Sequence, residues 1–197
     1  MSERIAEIKR TTAETDISVK INIDGKGQSS VSTGIPFMDH MLTLFAKHGF
    51  FDLEISACGD IEVDCHHTME DLGIVLGDAI AKAVGDKAGI KRYGSMILPM
   101  DEALILTAVD FSGRGYLALD ATMPSPKVGD FDTELVEEFW LAFIRNADCT
   151  LHIRQLAGIN THHIIEGIFK STARANRAAV ALDPTAADKI PSTKGVL

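Results

Sequence analysis

Hydrophobic and polar positions first alternate over residues 17–23. Ile17, Val19, Ile21 and Ile23 are set against Ser18, Lys20 and Asn22, the pattern of a strand with one buried and one wet face. Asp24-Gly25-Lys26-Gly27 follows as a tight turn, and a weaker strand is predicted over Ser29–Thr33. Pro36 opens a helix carrying Phe37, Met38, Met41, Leu42, Leu44 and Phe45, which ends before Gly49. Phe51, Leu53, Ile55 and Ala57 alternate as another strand. Met69, Leu72, Leu76, Ile80 and Ala83 then recur at helical spacing, placing a long helix over about 66–84.

The order then repeats. Residues 102–111 read as a strand apolar enough to be covered on both sides, followed by the turn Ser112-Gly113-Arg114-Gly115 and a strand over about 116–121. Residues 123–129, with Pro124 and Pro126, read as a loop. Leu135, Phe139, Trp140 and Phe143 mark a helix, Leu151 and Ile153 a strand, and residues 162–180 a long helix. Glu14 precedes Lys26 by the interval at which Glu102 precedes Arg114, and the two long helices open on the same motif: His66-His67-x-x-Glu70 and His162-His163-x-x-Glu166. This register predicts an internal duplication: one domain of two similar halves, 1–92 and 93–197. The expected class is α/β (α+β), with split-βαβ halves and helices layered on mixed sheets.

Composition narrows the function classes. The 197 residues are 46% hydrophobic and 24% charged, as in an ordinary globular protein. With 28 acidic against 19 basic residues, the net charge of −9 disfavours nucleic acid or an anionic membrane as partner. No apolar run approaches the ~20 residues of a membrane span, and the first ten residues carry no apolar core of a signal peptide. Cys58, Cys65 and Cys149 are odd in number and lack zinc-finger spacing, so they read as reduced thiols in a cytoplasmic protein.

The chemistry sits at the helix starts. Residues four apart share a helix face, so His66 projects with Glu70 and His162 with Glu166, while His67 and His163 reach the neighbouring direction. Imidazole and carboxylate suit Mn, Fe, Zn and similar divalent ions. One such motif is equally a pair of polar helix caps; two at corresponding places point to metal. The order, histidine before glutamate, differs from HExxH metalloproteases and from the ExxH of di-iron bundles. His40 and His152 can complete the sets, giving two sites of three histidines and one glutamate with positions left open for water or substrate. Lys170, Arg114, Arg92 and the tail Pro191-Ser192-Thr193-Lys194-Gly195 together offer a phosphate pocket; read separately, they are solvated charges and a frayed end.

Five stretches carry a resemblance: Phe37-Met38-Asp39-His40-Met41-Leu42, Asp64-Cys65-His66-His67-Thr68-Met69-Glu70-Asp71, Asp110-Phe111-Ser112-Gly113-Arg114, Asn160-Thr161-His162-His163-Ile164-Ile165-Glu166 and Pro191-Ser192-Thr193-Lys194-Gly195. In this order, across essentially the whole chain, they resemble the imidazoleglycerol-phosphate dehydratases of histidine biosynthesis, in the single-function form without a fused phosphatase domain. The resemblance implies two divalent ions per active site, manganese by analogy, held by His40, His66, His67, Glu70, His152, His162, His163 and Glu166. It implies Glu14 as the proton-transferring carboxylate, with Glu70 and Glu166 as further catalytic candidates. It places Glu14, His40, His48, His66, His67, Arg92, Arg114, Lys170, Ser192, Thr193 and Lys194 at the substrate, a small phosphorylated imidazole. Leu44 stands where many relatives have glutamine, and Asp39 and Asp71 either orient neighbouring ligands or cap helices. The reaction implied is loss of water from imidazole glycerol phosphate to give imidazole acetol phosphate, through a metal-bound imidazolate and a diazafulvene-like intermediate. The assembly implied is a homo-oligomer of trimers packed into an octahedral 24-mer. On the residues alone, a di-metal hydrolase and a metal-storing scaffold stay open, although the basic set disfavours storage.

Overall fold

The computed structural model describes residues 4–186 and 189–197. The first half runs β1 (Ile5–Thr11), β2 (Thr15–Asn22), β3 (Ser29–Ser32), α1 (Pro36–Gly49), β4 (Asp52–Gly59) and α2 (His66–Val84). The second runs β5 (Tyr93–Met100), β6 (Ala103–Asp110), β7 (Tyr116–Asp120), a small hairpin of β8 (Lys127–Val128) and β9 (Phe131–Asp132), α3 (Leu135–Asn146), β10 (Thr150–Ala157) and α4 (Thr161–Val180). Each half forms a four-stranded mixed sheet in the same order, β1-β2-β4-β3 and β5-β6-β10-β7.

Three details differ from the sequence reading. Each half opens with one more strand than the alternation showed, β1 and β5, paired antiparallel to β2 and β6. The loop expected at residues 123–129 contains the short strand β8. The strands joined by a helix, β3 to β4 and β7 to β10, are parallel and direct neighbours, so the βαβ unit is not split. The added hairpin supplies the reason. β2 and β6 take the other flank of β4 and β10 in antiparallel register, leaving no strand to insert between the parallel pair.

The helices lie between the two sheets, and they pack across the halves. α2 covers β1 and β2 and pairs with α3; α4 covers β5 and β6 and pairs with α1. The α2–α3 contact is backbone to backbone. A Cβ at Gly73 would stand 2.5 Å from the Phe139 carbonyl oxygen, and one at Gly77 equally close to that of Phe143. Phe139, Trp140, Phe143 and Phe169 form an aromatic cluster where the halves meet, within one continuous apolar core. No helix among the described residues is long and apolar enough to cross a membrane.

Candidate active site

The α1–α4 contact brings His40 from the first half against His162 and Glu166 from the second. His40 Nε2 lies 3.5 Å and His162 Nε2 3.2 Å from Glu166 Oε2, and one ligand atom from each residue falls within 4.8 Å of the others. Two imidazoles and a carboxylate suit a divalent ion, so these residues fit the metal that the sequence implies. Glu166 is 6% exposed, and its other oxygen, Oε1, pairs with Lys170 one turn further along α4. Burial pushes this carboxyl up, but the Lys170 ammonium, His162 and His40 outweigh it and hold the group below its ordinary value. Burial lowers the His48 imidazole, two turns after His40; the charges of Lys170 and Arg174 lower it further.

A second cluster forms at the start of α2. His67 Nδ1 lies 3.0 Å from Asp60 Oδ2 and 3.7 Å from Glu14 Oε2, with Glu14 in the β1–β2 turn and Asp60 just after β4. The Asp60 hydrogen bond holds the imidazole above its ordinary value against burial, and the Glu14 charge adds to it. Glu14, His67 and Glu70 line a cavity of 160 Å³ with Arg10, Thr12 and Asp71. At the matching place in the second half, His163 Nδ1 lies 2.7 Å from Glu102 Oε2. Glu102 Oε1 accepts the backbone N–H groups of Ile159 and Asn160 at 3.3 and 2.8 Å. The His163 bond and then these backbone donors lower the Glu102 carboxyl to about 2. A carboxylate on the far ring nitrogen fixes the tautomer and turns Nε2 outward, the arrangement metal-ligating histidines use.

The remaining expected ligands do not join these clusters within one chain. His66 donates its backbone N–H to Asp64 Oδ1 at 2.7 Å, and its ring stands edge-on to His67. No His66–Glu70 pair matching His162–Glu166 forms among the described residues. His152 is exposed on the outer face of β10, beside Tyr116. Asp39 Oδ1 accepts from the Thr33 backbone and hydroxyl at 2.8 and 2.6 Å, so it fastens the entry to α1. Asp71 accepts from Thr15 Oγ1 at 2.5 Å and Arg10 Nε at 2.8 Å, fastening the turn that carries Glu14 to α2. Leu44 is partly buried against the core.

The basic set converges at the other end of the second sheet. Arg92, at φ +71, donates from Nε and Nη2 to Asp110 at 2.7 and 3.2 Å and from Nη1 to the Pro191 carbonyl at 2.8 Å. Arg114 Nη1 donates to the Ser112 carbonyl at 3.2 Å. The tail turns at Ser192, whose Oγ accepts the Lys194 backbone N–H at 3.2 Å. Its last residue packs on the other turn: a Cβ at Gly113 would stand 2.7 Å from the Leu197 carbonyl carbon. Ser192, Thr193 and Lys194 are thus held between Arg92 and Arg114, whereas Lys170 belongs to the Glu166 cluster. Glu102 and Asp60 escaped the sequence reading as site residues. The register with Glu14 was a signal for Glu102; Asp60 had none.

Fold and site define a duplicated α/β protein with an imidazole–carboxylate cluster at the head of the last helix in each half. The sequence profile of the family described as imidazoleglycerol-phosphate dehydratase matches residues 33–175. The imidazoleglycerol-phosphate dehydratase of Desulforamulus reducens is 57% identical over 197 residues, covering 100% of both chains. That of a Synechococcus strain is 54% identical over 194 residues, covering 98% of this chain and 96% of its own. The crystal structure of the Staphylococcus aureus enzyme superposes with a TM-score of 0.83 at 44% identity, covering 91% of this chain and 99% of that one. The structure of IGPD from Pyrococcus furiosus gives a TM-score of 0.84 at 38% identity, covering 96% and 100%. This chain belongs to the imidazoleglycerol-phosphate dehydratase family and is a hydro-lyase.

Proposed function

We propose that the protein dehydrates imidazole glycerol phosphate to imidazole acetol phosphate and water, as a cytoplasmic step of histidine biosynthesis. The carrying observation is the His40–His162–Glu166 cluster, assembled across the two halves of a chain of this family. His40, His66, His67, Glu70, His152, His162, His163 and Glu166 are the residues that would hold two divalent ions, manganese by family resemblance. Bound there, the ions supply Lewis-acid stabilisation for charge developing on the substrate's imidazole ring.

The chain's own residues supply the rest. The carbon that loses a proton has no adjacent carbonyl, so proton transfer needs a placed carboxylate. Glu14, exposed at the rim of the cavity beside His67, has the freedom to move a proton. Lys170 keeps Glu166 ionised and acceptor-only. Arg92, Arg114, Ser192, Thr193 and Lys194 would grip the phosphate and fix the distance from it to the reacting carbons. His48 and Lys170 complete the substrate wall.

Assembly completes the site in this reading. His152 lies on the outer face of β10, apart from the His40 cluster, and beyond the exposed Arg154–Asp120 pair that face is largely apolar, with Ile97 and Leu156 56% and 50% exposed. A second copy covering that face would bury it and carry His152 toward another chain's ligands. This supports a homo-oligomer with active sites between chains; its form, trimers packed into an octahedral 24-mer, is taken from the family resemblance. The deciding experiment assays the manganese-loaded protein for keto product from imidazole glycerol phosphate and, in parallel, for phosphate release. Keto product without phosphate release is expected; phosphate release alone would replace the dehydratase with a di-metal hydrolase.

A further inference from the structure

Corresponding histidines in the two halves rest on carboxylates that do not correspond. In the second half the hairpin glutamate itself, Glu102, binds His163 Nδ1 at 2.7 Å, and its other oxygen takes two backbone N–H groups. Both of its oxygens are engaged. In the first half the duplicate glutamate, Glu14, occupies the same hairpin position but stands 3.7 Å from His67 Nδ1. Among the described residues no hydrogen bond ends on the Glu14 carboxylate. Asp60 Oδ2 makes the bond instead, at 3.0 Å. The residue following the corresponding strand in the second half is Gly158, which has no side chain to offer.

Burial separates the roles further. The Asp60 side chain is 23% exposed and that of Glu14 54%. Asp60 Oδ1 is buried with no partner among the described residues, an arrangement that costs desolvation. A carboxylate kept there, where glycine serves the other half, has a role in holding His67.

We propose that Asp60 is a positioning residue: it performs for His67 the orienting role that Glu102 performs for His163, and thereby leaves Glu14 unengaged for proton transfer. The inference rests on the reading of Glu14 given above. It also says why one of two duplicated glutamates carries the chemistry and the other does not. With Asp60 gone, Glu14 is near enough to close on His67 Nδ1 by side-chain rotation, and would be drawn into the role its duplicate already has.

The test uses Asp60→Ala, Asp60→Asn, Glu14→Gln, Glu14→Ala and the double variant D60A/E14A. Three measurements are made on each: turnover, manganese affinity by calorimetry, and the ring-nitrogen shifts of His67 in labelled protein. Asp60→Ala should keep its manganese affinity near that of the wild type, because Glu14 substitutes, and should lose turnover about 10- to 100-fold. The double variant should lose a further ~10- to 100-fold in manganese affinity relative to Glu14→Ala, since no side-chain acceptor then orients His67. Asp60→Asn retains an acceptor oxygen and should recover most of the turnover lost in Asp60→Ala, with the His67 Nδ1 proton in place. Wild-type turnover and ring shifts in Asp60→Ala would overturn the proposal. So would a double variant that binds manganese as tightly as Glu14→Ala. If Asp60→Ala does not fold, Asp60→Asn decides: loss of both the Nδ1 proton and turnover overturns the role. Wild-type turnover in Glu14→Gln would instead remove the proton-transfer reading, while the affinity comparison still decides whether Asp60 orients His67.

Discussion

On β2 the outward positions are Asp16, Ser18 and Lys20; on β6, its counterpart, they are Leu104, Leu106 and Ala108. The next strand repeats the contrast. Glu54 on β4 pairs with Lys20 at 3.0 Å, whereas His152, at the same register on β10, faces Ala108. The inward positions of both sheets, by contrast, are uniformly buried: Ile17, Val19 and Ile21 in one, Ile105 and Val109 in the other. The duplicated halves therefore keep one interior pattern and carry opposite exteriors. Interior packing tolerates little change in volume, while an outer face is free to become either wet surface or interface. The second half has the apolar exterior that the proposed assembly would cover, with one expected ligand, His152, in the middle of it.

The largest effect that can test this division concerns the hairpin glutamates. Glu14→Gln should fold and bind metal but lose about 10²- to 10⁴-fold in turnover, the usual cost of removing a general acid–base group. A purified variant with wild-type turnover would make Glu14 as structural as Glu102. Next come Arg114→Ala and Lys194→Ala, which should each weaken substrate binding by about 1.5–3 kcal/mol while leaving the melting temperature nearly unchanged. An unaltered Michaelis constant in Lys194→Ala would return the tail to a frayed end.

Assembly sharpens the contrast between the two sheets. Leu156→Asp on the second outer face should lower the particle mass seen by light scattering, whereas Cys58→Asp at the corresponding position of β4 should not. Exhaustive chelation should also shift the mass downward, with manganese restoring it, because ligand binding favours the assembled state by mass action. Confirmed metal loss at constant mass would place the sites within single chains or at an interface that does not need metal.

Smaller effects probe the interior and the locked glutamate. Gly73→Ala should cost about 1–3 kcal/mol through overpacking against the Phe139 carbonyl, read as a lowered denaturant midpoint. Glu102→Gln should show its deficit only above the acid range. The wild-type carboxyl lies near 2, below its unfolded value, so its stabilisation is complete above about pH 4.5 and is lost as the pH falls toward 2. Unfolding curves of variant and wild type should therefore differ at pH 6 and converge near pH 2. A constant gap across that range would show that the Glu102 charge does not carry the effect.

Much of the fold was legible because its buried positions keep clean periods. The alternation through Ile17–Ile23 and the spacing of Met69, Leu72, Leu76 and Ile80 appear in the structure as β2 and α2. β1 escaped because it is an edge strand with Glu7, Lys9 and Arg10 in its run and only Ala6 fully buried. β5 escaped because Gly94 and Pro99 interrupt it; an edge strand tolerates the proline, and Gly94 lets α4 approach closely. The apolar run at 102–111 predicted cover on both faces, but within the chain only the inner face of β6 is fully covered. The other face of β6 stays half-exposed within the chain, and a second copy would supply the missing cover only in the assembly proposed above. At the site, local spacing revealed both helix-start motifs, but the Asp60–His67 contact depends on how the strand exit folds back, which carries no periodicity.

The crosswise pairing of α1 with α4 and α2 with α3 bears on how the molecule comes to exist at all. Neither half can seal its helix layer without the other, so the chain has no independently closed unit on which folding could pause. Its α1–α4 contacts join residues more than half the sequence apart, His40 with Glu166 among them, and such topology slows the search because loop closure precedes the reward. The kinetic corollary is that the His40–Glu166 site arises only with the global transition. A chain folded through its first half alone would hold His40 without Glu166, so this cluster cannot precede the second half.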